Sequence, residues 1–287
     1  MVLEFGIIFA FLAMVSWGVG DFLIQRTTRK IGNLQSLTFL GIIGSIGLFP
    51  LVLNDLHLLL YPSNLILLLF LGIVTFVVSL MDFEAVRLGK LSTIDVIIEL
   101  ELPVTIIFAL TFFKETLSLQ QFAFISLIFI GIVLVAIKSF NRGKLRLEKA
   151  VFIAVAVAVG MGIINFLTAT SSKTISPIMA IWVPWLIFTI FCLVSMHMTN
   201  GFPKFTVNAK KFKFLILAMG VIDTLAWLFY ALAVFKNELS IITAITESYP
   251  VIAMFLGIWF NKEKINWYQY LGAGMALVSS FILALSI

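Results

Sequence analysis

Charged and reactive side chains are what this sequence has least of. Only 11% of its 287 residues are Asp, Glu, Lys or Arg, against about a quarter in an ordinary soluble domain. A single cysteine, Cys192, excludes an internal disulfide and any cysteine-built metal cluster. The two histidines, His57 and His197, belong to no metalloprotease motif, and no G-x-S-x-G nucleophile elbow occurs. Lys and Arg are missing from the apolar runs, where chemistry on lipid phosphate would want them. These absences disfavour an intramembrane protease or lipid phosphatase, and no catalytic residue, metal site or cofactor is expected. Long polar stretches are also absent, so no soluble domain is expected. The first segment, MVLEFGIIFAFLAMVSWGVG, lacks the basic start of a signal peptide and reads as a retained first span.

Hydrophobicity is what fills the chain. Apolar residues make up 62% of it, the mean hydropathy is +1.15, and apolar runs long enough to cross a bilayer recur throughout. Alternation over about ten residues, the mark of a membrane β-barrel, does not occur. The runs predict ten helices, at about 5–25, 34–53, 64–86, 92–113, 119–138, 150–169, 177–198, 214–235, 240–260 and 267–286. The expected fold is an all-α, multi-pass protein of the plasma or inner membrane. The net charge of +5 is no sign of nucleic-acid binding, because the basic residues are scattered over short loops as topology signals.

The second half repeats the first. At an offset of 148, Gly72 meets Gly220, Leu91-Ser92 meets Leu239-Ser240, and Glu99 meets Glu247. The same offset pairs Lys114-Glu115 with Lys262-Glu263 and Gln121 with Gln269, while Pro103 and Pro250 match at 147. Near the start the offset is 144, placing Gly18, Asp21 and Phe22 opposite Gly162, Asn165 and Phe166. The expected organisation is a five-helix repeat over 1–140, a basic loop over 141–149 and a second five-helix repeat over 150–287. An odd number of spans per repeat inverts the second copy relative to the first. Sixteen of the 19 Lys and Arg lie in the odd-numbered loops. By the positive-inside rule those loops are cytoplasmic, and both termini lie outside.

Eight of the 14 acidic residues fall inside predicted spans: Asp21, Asp82, Glu84, Asp95, Glu99, Glu101, Asp223 and Glu247. A carboxylate at the bilayer centre costs about 2.5–3.5 kcal/mol on insertion scales. Three in the fourth span, TIDVIIELELPV, would nearly offset the gain from its apolar residues, so that helix should border water. Read as one helix, it places Asp95 and Glu99 on one face and Glu101 about 200° away from Glu99. Pro103 removes a backbone donor and releases the carbonyl of Glu99; Pro250 does the like three residues after Glu247. Broken helices at matching places in two repeats point to a transport site. Asp95 and Glu101 are equally well read as packing or interfacial residues, and Glu84 as an ion-pair partner of Arg87. Asp21 faces Asn165 across the repeats, and Asp223 is deep in its span. Trp182 with Trp185, and Trp227 with Tyr230, share helix faces and could stack on a cation or simply pack.

Three stretches carry a resemblance to a known family: SWG (Ser16–Gly18), ELPVTIIFALTFFKETLSLQQ (101–121) and SYPVIAMFLGIWFNKEKINWYQYLGAG (248–274). Two copies of proline, apolar run, turn Glu and Gln, in register, resemble the EamA-type transporters of the drug/metabolite transporter superfamily. The resemblance covers nearly the whole chain. It implies a ten-helix, inverted-repeat carrier whose cavity is lined by spans one, three, four, six, eight and nine, with Glu115 and Glu263 structural. Two departures stand out: no arginine in spans two and seven, and loop charges that place the termini outside where relatives usually have them inside.

The expected activity is secondary active export of small polar or cationic metabolites such as amino acids, by alternating access, with protons as a candidate coupling ion. The expected binding residues are Glu99, Glu247, Asp21, Asp82, Asp223, Asn165, Trp227 and Tyr230. An uncoupled facilitator or channel, or a lipid flippase, uses the same signals. The expected partners are a small-molecule substrate and membrane lipids, with the monomer and the homodimer both open.

Overall fold

A computed structural model describes residues 5–88, 97–137, 149–199, 201–262 and 264–286. The described residues are almost wholly helical and include no strand. In chain order the helices are α1 (Phe5–Ile31), α2 (Asn33–Val52), α3 (Pro62–Leu88), α4 (Glu101–Phe108), α5 (Leu119–Ala136) and α6 (Lys149–Thr174). There follow α7 (Met179–Met198), α8 (Phe202–Lys211), α9 (Lys213–Lys236), α10 (Leu239–Thr246), α11 (Tyr249–Asn261) and α12 (Trp267–Leu285).

Nine stretches among the described residues are long and apolar enough to cross a membrane, counting α10 and α11 together as Leu239–Phe260. The fourth expected span is met by a shorter apolar segment, Glu101–Phe113; the first five residues of its expected range, with Asp95, lie outside the described residues, as does Glu263. The inter-repeat loop over 141–148 lies outside them as well.

The fourth segment is not one continuous helix. Its residues turn at Ile97–Leu100, with Leu100 N–H bonding Ile97 carbonyl at 3.1 Å, and α4 begins at Glu101. Pro103 therefore sits in a first helical turn, where a missing N–H goes unnoticed. The carbonyl of Glu99 accepts from Leu102 N–H at 3.4 Å instead of standing free. The ninth span breaks in the same way: α10 stops at Thr246, and Pro250 lies in the first turn of α11.

Turn chemistry accounts for the repeated Lys and Gln. Both Lys114 and Lys262 adopt left-handed backbone, φ 57° and 55°, which ends the preceding helix. Ser118 with Gln121, and Asn266 with Gln269, then form capping boxes that start α5 and α12. These two helices pack very closely. A Cβ built on Gly131 would lie 2.6 Å from the Gly272 carbonyl oxygen, and one on Gly272 would lie 2.5 Å from that of Gly131. Small residues let backbones approach in this way.

Contacts sort the loops by parity, as an antiparallel run of spans requires. Arg26, by the first loop, lies 5.8 Å from the ring of Phe260 at the ninth. Gln35, by the first loop, accepts from Asn208 in the seventh at 2.8 Å, and Phe39 stacks on Phe205 at 3.9 Å. At the opposite end, Ser176 donates to Asp55 at 2.6 Å, joining the sixth loop to the second. Glu115 joins the fourth to the eighth, and Lys173 lies over Phe113 at 4.7 Å.

The seventh loop contains a helix that hydropathy alone misses. The ten-residue α8 is too short and too polar to span, carrying Lys204, Lys210 and Lys211. Its Phe205 and Ala209 nonetheless pack on the buried cluster around α2 and α7.

Candidate functional site

The site grows from two helices that run in opposite directions. On α1, Trp17 and Asp21 are one turn apart; on α9, Asp223 and Trp227 are one turn apart. The helices pack so that the Trp17 and Trp227 rings meet edge to face at 5.0 Å. Tyr230 and Tyr249 lie 5.3 and 6.1 Å from Trp17. Below the aromatic group, the breaks of the fourth and ninth segments bring the carboxyl groups of Glu101 and Glu247 together as interacting neighbours. Two carboxylates side by side repel each other unless a proton or a cation is shared between them.

These groups line one cavity of about 240 Å³. Its lining extends from Thr168, Ala180 and Ile181 on the even-loop side, past Glu247, Tyr249, Asp21 and Asp223, to Thr28, Ser36 and Asp82 toward the odd-loop end. Among the described residues no Lys or Arg lines it. The loops of the even-loop end are tied together. Glu115 accepts from the N–H groups of Leu239 and Ser240 at 2.6 and 3.0 Å and from the Ser240 hydroxyl at 2.5 Å. A carboxylate on the exposed donors of a helix start is favourable. Beside it, partial burial and the negative Glu115 hold the Glu238 carboxyl above its usual range, with Lys173 opposing. Trp182 donates to the Ser45 carbonyl at 2.9 Å, tying α7 to α2.

Of the residues named from sequence, Asp21, Asp82, Asn165, Asp223, Trp227 and Glu247 line this cavity. Asp21 is exposed, whereas Asp223 and Glu247 are 5% and 3% exposed. Asn165 donates to Thr105 at 3.3 Å. Tyr230 is fully buried behind the aromatic wall, its hydroxyl 3.0 Å from that of Thr243. Glu99 is half-buried in the turn before α4, within electrostatic reach of Glu247 and Tyr249 but not in the lining. The residue that lines the cavity there is Glu101. The helical-face argument that set it aside fails because no helix runs through Leu100.

Trp17 and Tyr249 also belong to the lining and were not singled out from sequence, while Trp185, read there as a stacking or a packing residue, lines it too. Trp17 was visible only as the middle of SWG, and Tyr249 as the neighbour of Pro250. Spans two and seven contribute Ser36 and Trp185, in addition to the spans that the family resemblance implied.

Comparison with known proteins gives three findings. The sequence model of the EamA-like transporter family matches residues 4–137 and, separately, residues 148–285. An uncharacterized protein of Methanocaldococcus jannaschii is 28% identical over 138 residues, which is 48% of this chain and 100% of that one. A solved crystal structure superposes with a TM-score of 0.81 over 98% of this chain and 96% of its own, at 13% identity, a likeness of fold alone.

Proposed function

Because the chain belongs to the EamA-like transporter family, and is therefore a multi-pass membrane transporter, we propose that it moves small cationic metabolites by alternating access with proton coupling. One observation carries this reading: a cavity whose charged lining, among the described residues, is entirely acidic. Such a lining attracts an amine and repels an anion. The aromatic faces of Trp17, Trp227 and Tyr249 suit an ammonium group.

The Glu101–Glu247 pair supplies the coupling. A proton held between them is lost when an ammonium arrives, and returns when it leaves, so substrate and proton occupy the site by turns. Glu99, near but outside the lining, is the natural route for that proton toward water. Asp21, Asp82 and Asn165 line the path to the odd-loop end. With those loops cytoplasmic by the charge rule, the cavity faces the cytoplasm, which suits loading for export. The inverted five-plus-five arrangement of spans gives the symmetric route to the opposite opening.

The test is reconstitution into liposomes holding a pH-sensitive dye, with amino acids, polyamines and small organic cations added class by class. Substrate-dependent proton movement that disappears in Glu247→Gln is the expected result. Saturable isotope counterflow without proton movement would instead establish an uncoupled facilitator.

A further inference from the structure

The arrangement of acids in the cavity limits how the charge on its ligand can be distributed. Oδ2 of Asp223 and Oε2 of Glu247 are buried and accept no hydrogen bond among the described residues. Each is a carboxylate oxygen in a lining without cations, an arrangement that calls for a positive partner. A single metal ion is a poor candidate: among the described residues, no three Asp, Glu, His or Cys converge to hold one. Positive charge that meets both oxygens must therefore be spread along a molecule.

The helix geometry sets the spread. α1 descends from the even-loop end to the first loop, so Asp21 lies one turn nearer the odd-loop mouth than Trp17. α9 runs the other way, so Asp223 lies one turn nearer that same mouth than Trp227. The tryptophans meet at 5.0 Å, and a Cβ built on Gly20, next to Asp21, would lie 3.9 Å from Oδ1 of Asp223. The cavity thus has two levels. The deep one holds Glu101, Glu247 and the aromatic faces; the outer one, about 6 Å away by helical rise, holds Asp21 and Asp223. Between and around them the wall is uncharged, with Leu40, Ile164 and Met219 beside Thr75, Asn165 and Thr168.

We propose that the cavity is a two-point receptor for a linear dication, an α,ω-diamine or a longer polyamine. One ammonium sits at Glu247 against Trp17, Trp227 and Tyr249, and the other at Asp223. A spacer of about four carbons, with bonds of about 1.5 Å, covers the rise between the levels. The inference rests on the reading of the cavity as a cation site, and names the class of cation.

The experiment is equilibrium binding of putrescine and of butylamine to the purified, intact protein. These probes have the same carbon chain and differ by one ammonium. Putrescine is expected to bind at least about ten-fold more tightly, as a buried charge pair warrants. In Asp223→Asn the ratio is expected to fall within about two-fold. Equal affinities in the unaltered protein would overturn the dication while leaving a monocation site standing. Binding of neither amine would overturn both readings. A preference for putrescine that survives Asp223→Asn in a folded variant would remove the outer point at Asp223 and overturn the two-point site. The unaltered protein decides the first comparison, so a variant that fails to fold does not shelter the proposal.

Discussion

A carboxyl group inside a bilayer persists where a proton or a cation is to hand. Glu101 and Glu247 lie beside each other, and in the proposed mechanism one proton is held between them. Replacing either by Gln removes the exchangeable proton but keeps the shape. Glu101→Gln and Glu247→Gln are each expected to cut substrate-driven proton flux at least about ten-fold, with the fold retained, because one buried charge contact is worth about 2 kcal/mol or more. Glu99→Gln, outside the lining, is expected to slow the flux and leave amine affinity within about two-fold. Dye-loaded liposomes measure the first effect and direct binding the second; full flux in Glu101→Gln would remove that residue from the coupling pair. Glu247 was legible in the sequence because a carboxylate shortly before a proline recurs in both halves, Glu99 four residues before Pro103 and Glu247 three before Pro250. Glu101 was not, since its orientation depends on where the helix begins, and Leu100 carries no breaker residue to announce the turn.

At the level of elements, the turns between spans carry more information than the spans. Lys114 and Lys262 end their helices with φ near +55°, a conformation that costs an L side chain about 1 kcal/mol and glycine nothing. Lys114→Gly is expected to raise thermal stability by up to about 1 kcal/mol, seen as a higher midpoint in detergent. The close contact of α5 and α12 is the opposite case. Gly131→Val would force its side chain into the Gly272 carbonyl and the Ala276 amide, 2.6 and 2.8 Å from a Cβ. It is expected to cost about 3 kcal/mol or more or to prevent folding, measured as loss of monodisperse protein on size exclusion. The apolar runs predicted these helices well, since membrane length and hydropathy leave little choice. They missed α8, whose ten residues are too polar for a hydropathy window and are held by Phe205 stacking on Phe39.

The described loops of the whole molecule gather at two ends. Loops one, seven and nine lie together at one end, and loops two, four, six and eight at the other. With loops three and five counted among the odd-numbered loops, Lys and Arg divide 16 to 3, and the positive-inside rule makes the odd-loop end the expected cytoplasmic one. Single cysteines test this against the background of a fully buried Cys192. Leu60→Cys, in the second loop and 82% exposed, is expected to react with an impermeant maleimide in intact cells. Lys204→Cys, exposed on α8, is expected to react only after the membrane is opened. The reverse pattern would put both termini inside and turn the cavity outward.

The sequence by itself determined that this is a helical membrane protein, which family it resembles, that its halves repeat, and which loops share a face. Each of these follows from local quantities: hydropathy per residue, loop charge and motif spacing. Tertiary structure decided which carboxylates meet. Glu101 and Glu247 are 146 positions apart and touch only because two helices break opposite each other. Asp223 is level with Asp21 only because α1 and α9 run antiparallel. Distances of that kind arise from packing between elements, which no pattern along one chain specifies.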